Sequence, residues 1–473
     1  MIDFDLSDDV RHDYIKSLFS RMEKFYAAGP EKVSPTLEPE AVRNWLSDLR
    51  SAVPPKQALD HVIAGLQKFS VHTTHPMYYG LFNPRANVTS VAADLITALY
   101  NPQLAAWSHA PFAVEVERLL IHEFGKKFGY EQHAIDGAFT TGGAEANLTA
   151  ILAALAKKYP EHGKEGVRGL KRQPLIYCSR ESHHSFIKAA KISGLGSESI
   201  KHFDVTLSGS IDHVAMISAI KADLHNGFDP LMIVATLGTT GTGTIESIKD
   251  LAQIASFFRL WLHADAAYGG IAILSDRHNH LLEGIDQSDS ITFDAHKGMS
   301  VSMSASMFIT KHKNILPAIF AINTGYMPKD AEHLDIDDPY TRSIQWSRRF
   351  IGLKVYLSLL TFGWKGYAEM VEHQFLMARL LRKKLEDAGW HMYNSSNLPV
   401  ICFGRKTSFS NDKTAAEICR RLVSSGRAWV SSYPVNGTHT IRACITNYKT
   451  SKHEIKTFVE LLAKITDDVT IST

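Results

Sequence analysis

Between about His75 and Phe350 short apolar runs alternate with helical segments, and this alternation constrains the fold more than any other feature of the chain. The clearest runs are Leu175–Cys178, Leu231–Leu237, Trp261–Ala264, Ser290–Phe293 and Ser306–Ile309. Strands separated by helices need crossover connections, so a mostly parallel sheet is expected. Phe350 to Gly389 reads as one long helix. Strands at Val400–Phe403 and Thr440–Cys444, with helices at Lys413–Ser424 and Lys452–Ile465, then predict a smaller α+β domain. Ahead of the alternating region, Tyr14, Leu18, Met22 and Phe25 recur at helical spacing, and Val42, Trp45, Leu46 and Leu49 resume a helix until Val53-Pro54-Pro55 breaks it. Such an arm cannot bury both faces on itself; the main body or a second subunit must cover it. The expected division is an N-terminal helical arm over 1–75, a large domain over 76–350 and a small domain over 351–473.

The 473 residues exceed one compact domain, and 45% hydrophobic with 21% charged residues excludes a disordered or fibrous chain. A net charge of +2 without a long run of one sign demands neither nucleic acid nor an anionic membrane as partner. Cys178, Cys402, Cys419 and Cys444 form no CxxC pair, so neither a zinc site nor a disulfide framework is indicated, and a reducing cytoplasm fits. The acidic start MIDFDLSDDVRHDY is not a secretory signal. No apolar run approaches the ~20 residues that span a bilayer.

Four patterns carry chemistry. In Phe139-Thr140-Thr141-Gly142-Gly143-Ala144-Glu145-Ala146-Asn147-Leu148 a strand-like end meets two glycines and then a run of helix formers. Glycines admit a ligand close to the backbone, and the first turn of a helix offers free N–H groups. This is an anion site suited to phosphate, or else a plain strand–turn–helix. No Lys-Ser/Thr follows, so it is not a Walker loop. In Trp261-Leu262-His263-Ala264-Asp265-Ala266-Ala267-Tyr268 an Asp closes an apolar strand, where open α/β sheets bind ligands. A buried carboxylate there needs a cation. A protonated pyridine nitrogen would serve, with Ala266 and Ala267 leaving room for a flat ring; a helix-capping Asp is the alternative. In Ile291-Thr292-Phe293-Asp294-Ala295-His296-Lys297-Gly298 a Lys follows a strand at the same sheet edge, and a partly desolvated Lys can form a Schiff base. After the strand Leu175–Cys178 come Ser182-His183-His184-Ser185, where one imidazole could stack on a flat cofactor or both could start a helix in solvent. Adjacent histidines rarely bind one ion and no third ligand is evident, so no metal is expected.

In this order and spacing, the patterns resemble the group II pyridoxal-phosphate decarboxylases, which include aromatic L-amino acid, histidine, glutamate and 2,4-diaminobutyrate decarboxylases. The resemblance runs from about Tyr14 to Ala463 and takes in His75-Pro76, Trp107 with Pro111 and Glu115, Ala235-Thr236-Leu237-Gly238, Arg348-Arg349-Phe350 and Ile441-Arg442. It implies the aspartate aminotransferase-like fold (fold type I), with a mostly parallel seven-stranded sheet, working as an intertwined homodimer whose N-terminal arm crosses to the other subunit. It also implies pyridoxal 5′-phosphate held as a Schiff base on Lys297. Asp265 would pair with the ring nitrogen, and His183 and Ala267 would pack on opposite ring faces. Thr236 would lie beside the ring, with His296 also in the cofactor site and Gly142 and Gly143 at the phosphate.

Three departures stand out. Asp294 replaces an Asn frequent in relatives, and an ionised Asp cannot donate to the phosphate. Gly298 follows the lysine where relatives often have a large apolar residue. The phosphate loop has glycines where several relatives have Ser or Ala, so hydroxyl donors are missing there. The expected reaction is decarboxylation of an L-amino acid to an amine and CO₂, with Tyr340 of the lid-like stretch Leu334–Arg342 returning the proton. Tyr79, Phe82 and Trp107 would favour an aromatic side chain. The alternatives are 2,4-diaminobutyrate, an acidic amino acid, or decarboxylation-dependent aldehyde synthesis.

Overall fold

A computed structural model describes residues 4–35, 38–47, 49–205, 210–322, 336–406 and 414–471. Leu334, Asp335 and Lys413 therefore lie outside the described residues. Seven strands form the central sheet: β1 (Asp136–Thr140), β2 (Pro174–Ser179), β3 (Ile200–Phe203), β4 (Asp229–Thr236), β5 (Trp261–Asp265), β6 (Ser290–Asp294) and β7 (Ser306–Thr310). Their order is β1-β7-β6-β5-β4-β2-β3, with only β7 antiparallel to its neighbours. Nearly every residue of β2, β4, β5, β6 and β7 is buried, as a sheet covered on both faces requires. The covering helices bury apolar residues on two sides. Phe124, Phe293, Leu251 and Val355 share one core, and Ile151, Leu155, Val234 and Phe308 share the other.

A second sheet, β8 (His391–Met392), β9 (Val400–Gly404), β10 (Ser431–Val435) and β11 (Thr438–Cys444), is antiparallel in the order β10-β11-β9-β8. The long helix expected from Phe350 runs from Leu353 to Asp387, with a break at Gly363, where φ is +61°. Glycine alone adopts that left-handed region without strain.

The arm contains α1 (Asp8–Ala28), α2 (Pro39–Trp45) and α3 (Pro55–Phe69), and none of the three buries a residue. Helix α2 stops at Trp45, short of the expected Leu46 and Leu49, which are 72% and 97% exposed. Trp45 packs on His61 and Phe69 of α3, and beyond it the exposed Leu46 and Leu49 bury nothing that would propagate the short helix. Met77, Tyr78 and Tyr79, grouped by sequence with the large domain, pack instead in the core of the small sheet with Ile441 and Phe458.

Candidate active site

The parallel strands bring the chemical residues together at one edge. Thr236 ends β4, Asp265 ends β5, and the two are register partners; Asp265 in turn pairs with Thr292 of β6. Lys297 follows β6 in the one-turn helix Ala295–Gly298, because the chain turns directly out of the strand there. His183 precedes the helix Ser185–Ile192 after β2. Facing them, β1 leads through Thr141 into α4 (Gly143–Lys158), whose N-cap is Gly142.

Within this cluster Lys297 Nζ lies 3.0 Å from Asp294 Oδ2. Asp294 also accepts from Ser306 Oγ at 2.6 Å. A Cβ on Gly143 would stand 3.0 Å from Asp294 Oδ2, so the Asp294 carboxylate sits at the start of α4. A Cβ on Gly142 would meet nothing within 4 Å, which leaves the helix start open to a ligand. Asp265 is buried and forms no ion pair among the described residues. Burial pushes its carboxyl above the usual range, while Lys297 and His183 pull it back. His183 keeps one side open to solvent. Desolvation on its other side lowers its pKa, against the pull of Asp265. Its Nδ1 accepts from Ser185 N at 3.2 Å. His184 is exposed. Ala267 N donates to Asp265 Oδ1 at 3.3 Å, and Thr236 Oγ1 bonds Ser182 Oγ at 2.7 Å. His296 is buried, with Nδ1 3.1 Å from Ala305 O.

Of the expected substrate residues, Phe82 belongs to this cluster. Its ring stacks on Tyr268 at 3.8 Å, with Lys297 Nζ 5.9 Å above it and Arg442 Cζ at 5.1 Å. Tyr79 does not belong: it is fully buried, packed edge-on against Phe458 at 4.9 Å, and has no open face for a substrate. Its apolar ring is worth more in the small-domain core than at a polar mouth. Tyr340 and Trp107 lie together elsewhere. Tyr340 N donates to Ala105 O at 3.1 Å and its ring packs on Trp346 at 4.9 Å. Trp107 donates from its backbone N to Asp338 and from Nε1 to Glu115. Among the described residues neither has a hydrogen bond, ion pair or ring contact to Lys297, His183 or Asp265.

Three participants were missed from the sequence. Asn147, on the first turns of α4, bonds Asp265 across 118 positions. Glu246 accepts from Thr236 N at 2.7 Å in a fully buried setting. Arg442 on β11 is buried with no carboxylate partner among the described residues; its Nη1 donates to Gly80 O and Nη2 has no hydrogen-bond partner. The Ile441-Arg442 pair was visible in the sequence, but nothing local showed that its guanidinium would be buried beside Phe82. Among the described residues no group of three or more His, Cys, Asp and Glu is placed to hold a metal, and no helix is long and apolar enough to cross a membrane.

A sheet-edge lysine, an unpaired buried carboxylate and an open helix start are the donor set of a pyridoxal-phosphate enzyme of the aminotransferase fold. Residues 49–406 match the family described as "Pyridoxal-dependent decarboxylase conserved domain". The chain belongs to that family and is a carboxy-lyase that uses pyridoxal 5′-phosphate. It is 26% identical to an aromatic-L-amino-acid decarboxylase of Bacillus atrophaeus, over 93% of this chain and 92% of that one. It is 28% identical to the acidic amino acid decarboxylase GADL1 of Bos taurus, over 79% of this chain and 72% of that one. A crystal structure of Oryza sativa TDC with PLP and tryptamine superposes with a TM-score of 0.93 at 22% identity, covering 99% of this chain and 100% of that one, which establishes the shared fold.

Proposed function

We propose that the enzyme decarboxylates an L-amino acid with an aromatic side chain, and that Lys297, Asp265 and His183 are its central residues. When bound, the cofactor supplies a carbon that bonds an amine nitrogen and a ring that accepts the electrons left as the Cα–carboxylate bond breaks. Lys297 Nζ is the amine that holds it. Asp265 keeps a proton on the ring nitrogen, so the ring stays a strong electron acceptor. His183 and Ala267 would pack against the cofactor ring, Thr236 and His296 would lie beside it, and the N–H groups of Gly142 and Gly143 would hold the phosphate. Electrons and atoms balance as amino acid giving amine and CO₂, with one proton returned to Cα.

The observation carrying the aromatic reading is the Phe82–Tyr268 stack beside Lys297, a flat apolar wall next to the reacting nitrogen. A second reading, an acidic substrate, is favoured by Arg442, whose free Nη2 suits a carboxylate. Release of CO₂ from a panel of L-amino acids by the purified holoenzyme decides between them. Turnover of phenylalanine, tyrosine or tryptophan sustains the first reading, and turnover of aspartate or glutamate alone replaces it with the second. Assaying aldehyde beside amine tests the aldehyde-synthase alternative.

The working unit in this reading is a homodimer. Leu99, Tyr100, Phe112, Leu360 and Phe362 expose large apolar side chains, Leu99 by 81%, which a second copy would cover. Trp107 lies in that region of the chain and would serve the partner's site, with the arm over 1–75 crossing between subunits. Four free, buried cysteines suit the cytoplasm.

A further inference from the structure

The hydrogen bonds behind Asp265 run in one direction. Asp265 accepts from Asn147 Nδ2 at 3.1 Å, and the same amide nitrogen donates to Ser185 Oγ at 2.9 Å. The amide oxygen of Asn147 then faces Thr292 Oγ1 at 2.7 Å and His263 Nε2 at 3.1 Å. A bare imidazole nitrogen there would set lone pair against lone pair, so Nε2 carries the hydrogen. Burial pushes the His263 pKa down to about 3, so the ring is neutral and its Nδ1 is an acceptor. Ser290 Oγ, 2.8 Å away, donates to it. Ser290 Oγ in turn accepts from Trp261 Nε1 at 2.9 Å, and an indole N–H can only donate. Trp261, His263, Asn147, Thr292, Ser290 and Asp265 are all buried, so water offers no competing partners.

We propose that Trp261, Ser290, His263 and Asn147 are positioning residues, a relay of donors aimed at Asp265 that keeps it an anion and so keeps the cofactor's ring nitrogen protonated. The proposal rests on the pairing of Asp265 with that nitrogen argued above. A buried carboxylate without such donors gives up its charge by taking a proton. Each donor in the chain polarises the next, so the end nearest Asp265 is strengthened by groups that never touch the cofactor. None of the four has its side chain at the open mouth of the site, and none moves a proton to substrate.

The test uses the holoenzyme loaded with cofactor isotopically labelled at the ring nitrogen, whose NMR shift reports protonation directly. Asn147→Leu and His263→Phe should move the nitrogen towards the neutral pyridine value at neutral pH. Asn147→Leu should also weaken cofactor binding by about tenfold, the loss expected for one hydrogen bond to a charged group, and His263→Phe by less. Trp261→Phe keeps an aromatic ring in the core while removing the anchoring N–H with part of the indole, and should shift the nitrogen in the same direction by less; it remains informative should Asn147→Leu not fold. Wild-type nitrogen shifts in His263→Phe and Trp261→Phe overturn the relay. Asp265→Ala separates the two levels. If it moves the nitrogen while the relay variants do not, the relay alone falls; if it too leaves the nitrogen unmoved, the pairing beneath it falls.

Discussion

Lys297 Nζ and Asp294 Oδ2 stand 3.0 Å apart, and the same carboxylate lies against Gly143 at the start of α4. Asp294 thus places a negative charge beside Lys297 and, in the cofactor site proposed above, beside the position the phosphate would take. Asp294→Asn should remove that repulsion, add a possible donor to the phosphate, and tighten cofactor binding by about tenfold, one charge-assisted hydrogen bond in size. Titrating the apo-enzyme with pyridoxal phosphate by absorbance gives the constant. Equal or weaker binding would show that Asp294 supports the site. Lys297→Ala belongs in the same experiment and should lose the borohydride-reducible link altogether.

His183 senses Asp265, Lys297 and Asp294, whereas His184 points to solvent. His183→Ala should lower kcat by about 10²-fold, and His184→Ala by no more than a few-fold. The comparison needs only steady-state rates with the best substrate from the panel. The reverse ranking would move the stacking role to His184.

The lid-like stretch Leu334–Arg342, described from residue 336 on, contains one tyrosine, Tyr340. Tyr340 already has a packing partner in Trp346, and phenylalanine would keep that contact. Tyr340→Phe should therefore fall within about 0.5 kcal/mol of wild type in activity. Rates and product analysis under air and under nitrogen check this. Slowed amine formation with aldehyde appearing under air in Tyr340→Phe gives the proton-donor role back to Tyr340.

Burial pushes the Glu246 carboxyl up to about 8, opposed in part by the Thr236 N–H. The folded chain then keeps a proton that the unfolded chain releases above about 4.5. The stability from this group is complete at low pH and is lost as pH rises from about 4.5 towards 8. Glu246→Gln has no such proton to lose. Its melting temperature relative to wild type should rise between pH 5 and pH 8.5, by an amount worth on the order of 2 kcal/mol. A difference that stays constant with pH would show Glu246 to be ionised in the folded enzyme.

Local chemistry in the sequence determined the strands, the loop Gly142-Gly143 and the residues Asp265, Lys297 and His183. Each announces itself within a few positions: an apolar run, a glycine pair, or a polar residue closing a strand. Because parallel strands end on one edge, their order of types already implied that Asp265 and Lys297 would meet. The fates of Tyr79, Tyr340, Asn147 and Arg442 were decided only by tertiary structure. An aromatic ring suits a core or a pocket equally well by composition, and only the closing of the small domain around Phe458 sent Tyr79 inward. Asn147 and Asp265 lie 118 positions apart, and their bond exists because α4 crosses the sheet at the height where β5 ends. Sequence spacing carries the period of a helix or a strand, but not the crossing of one element over another.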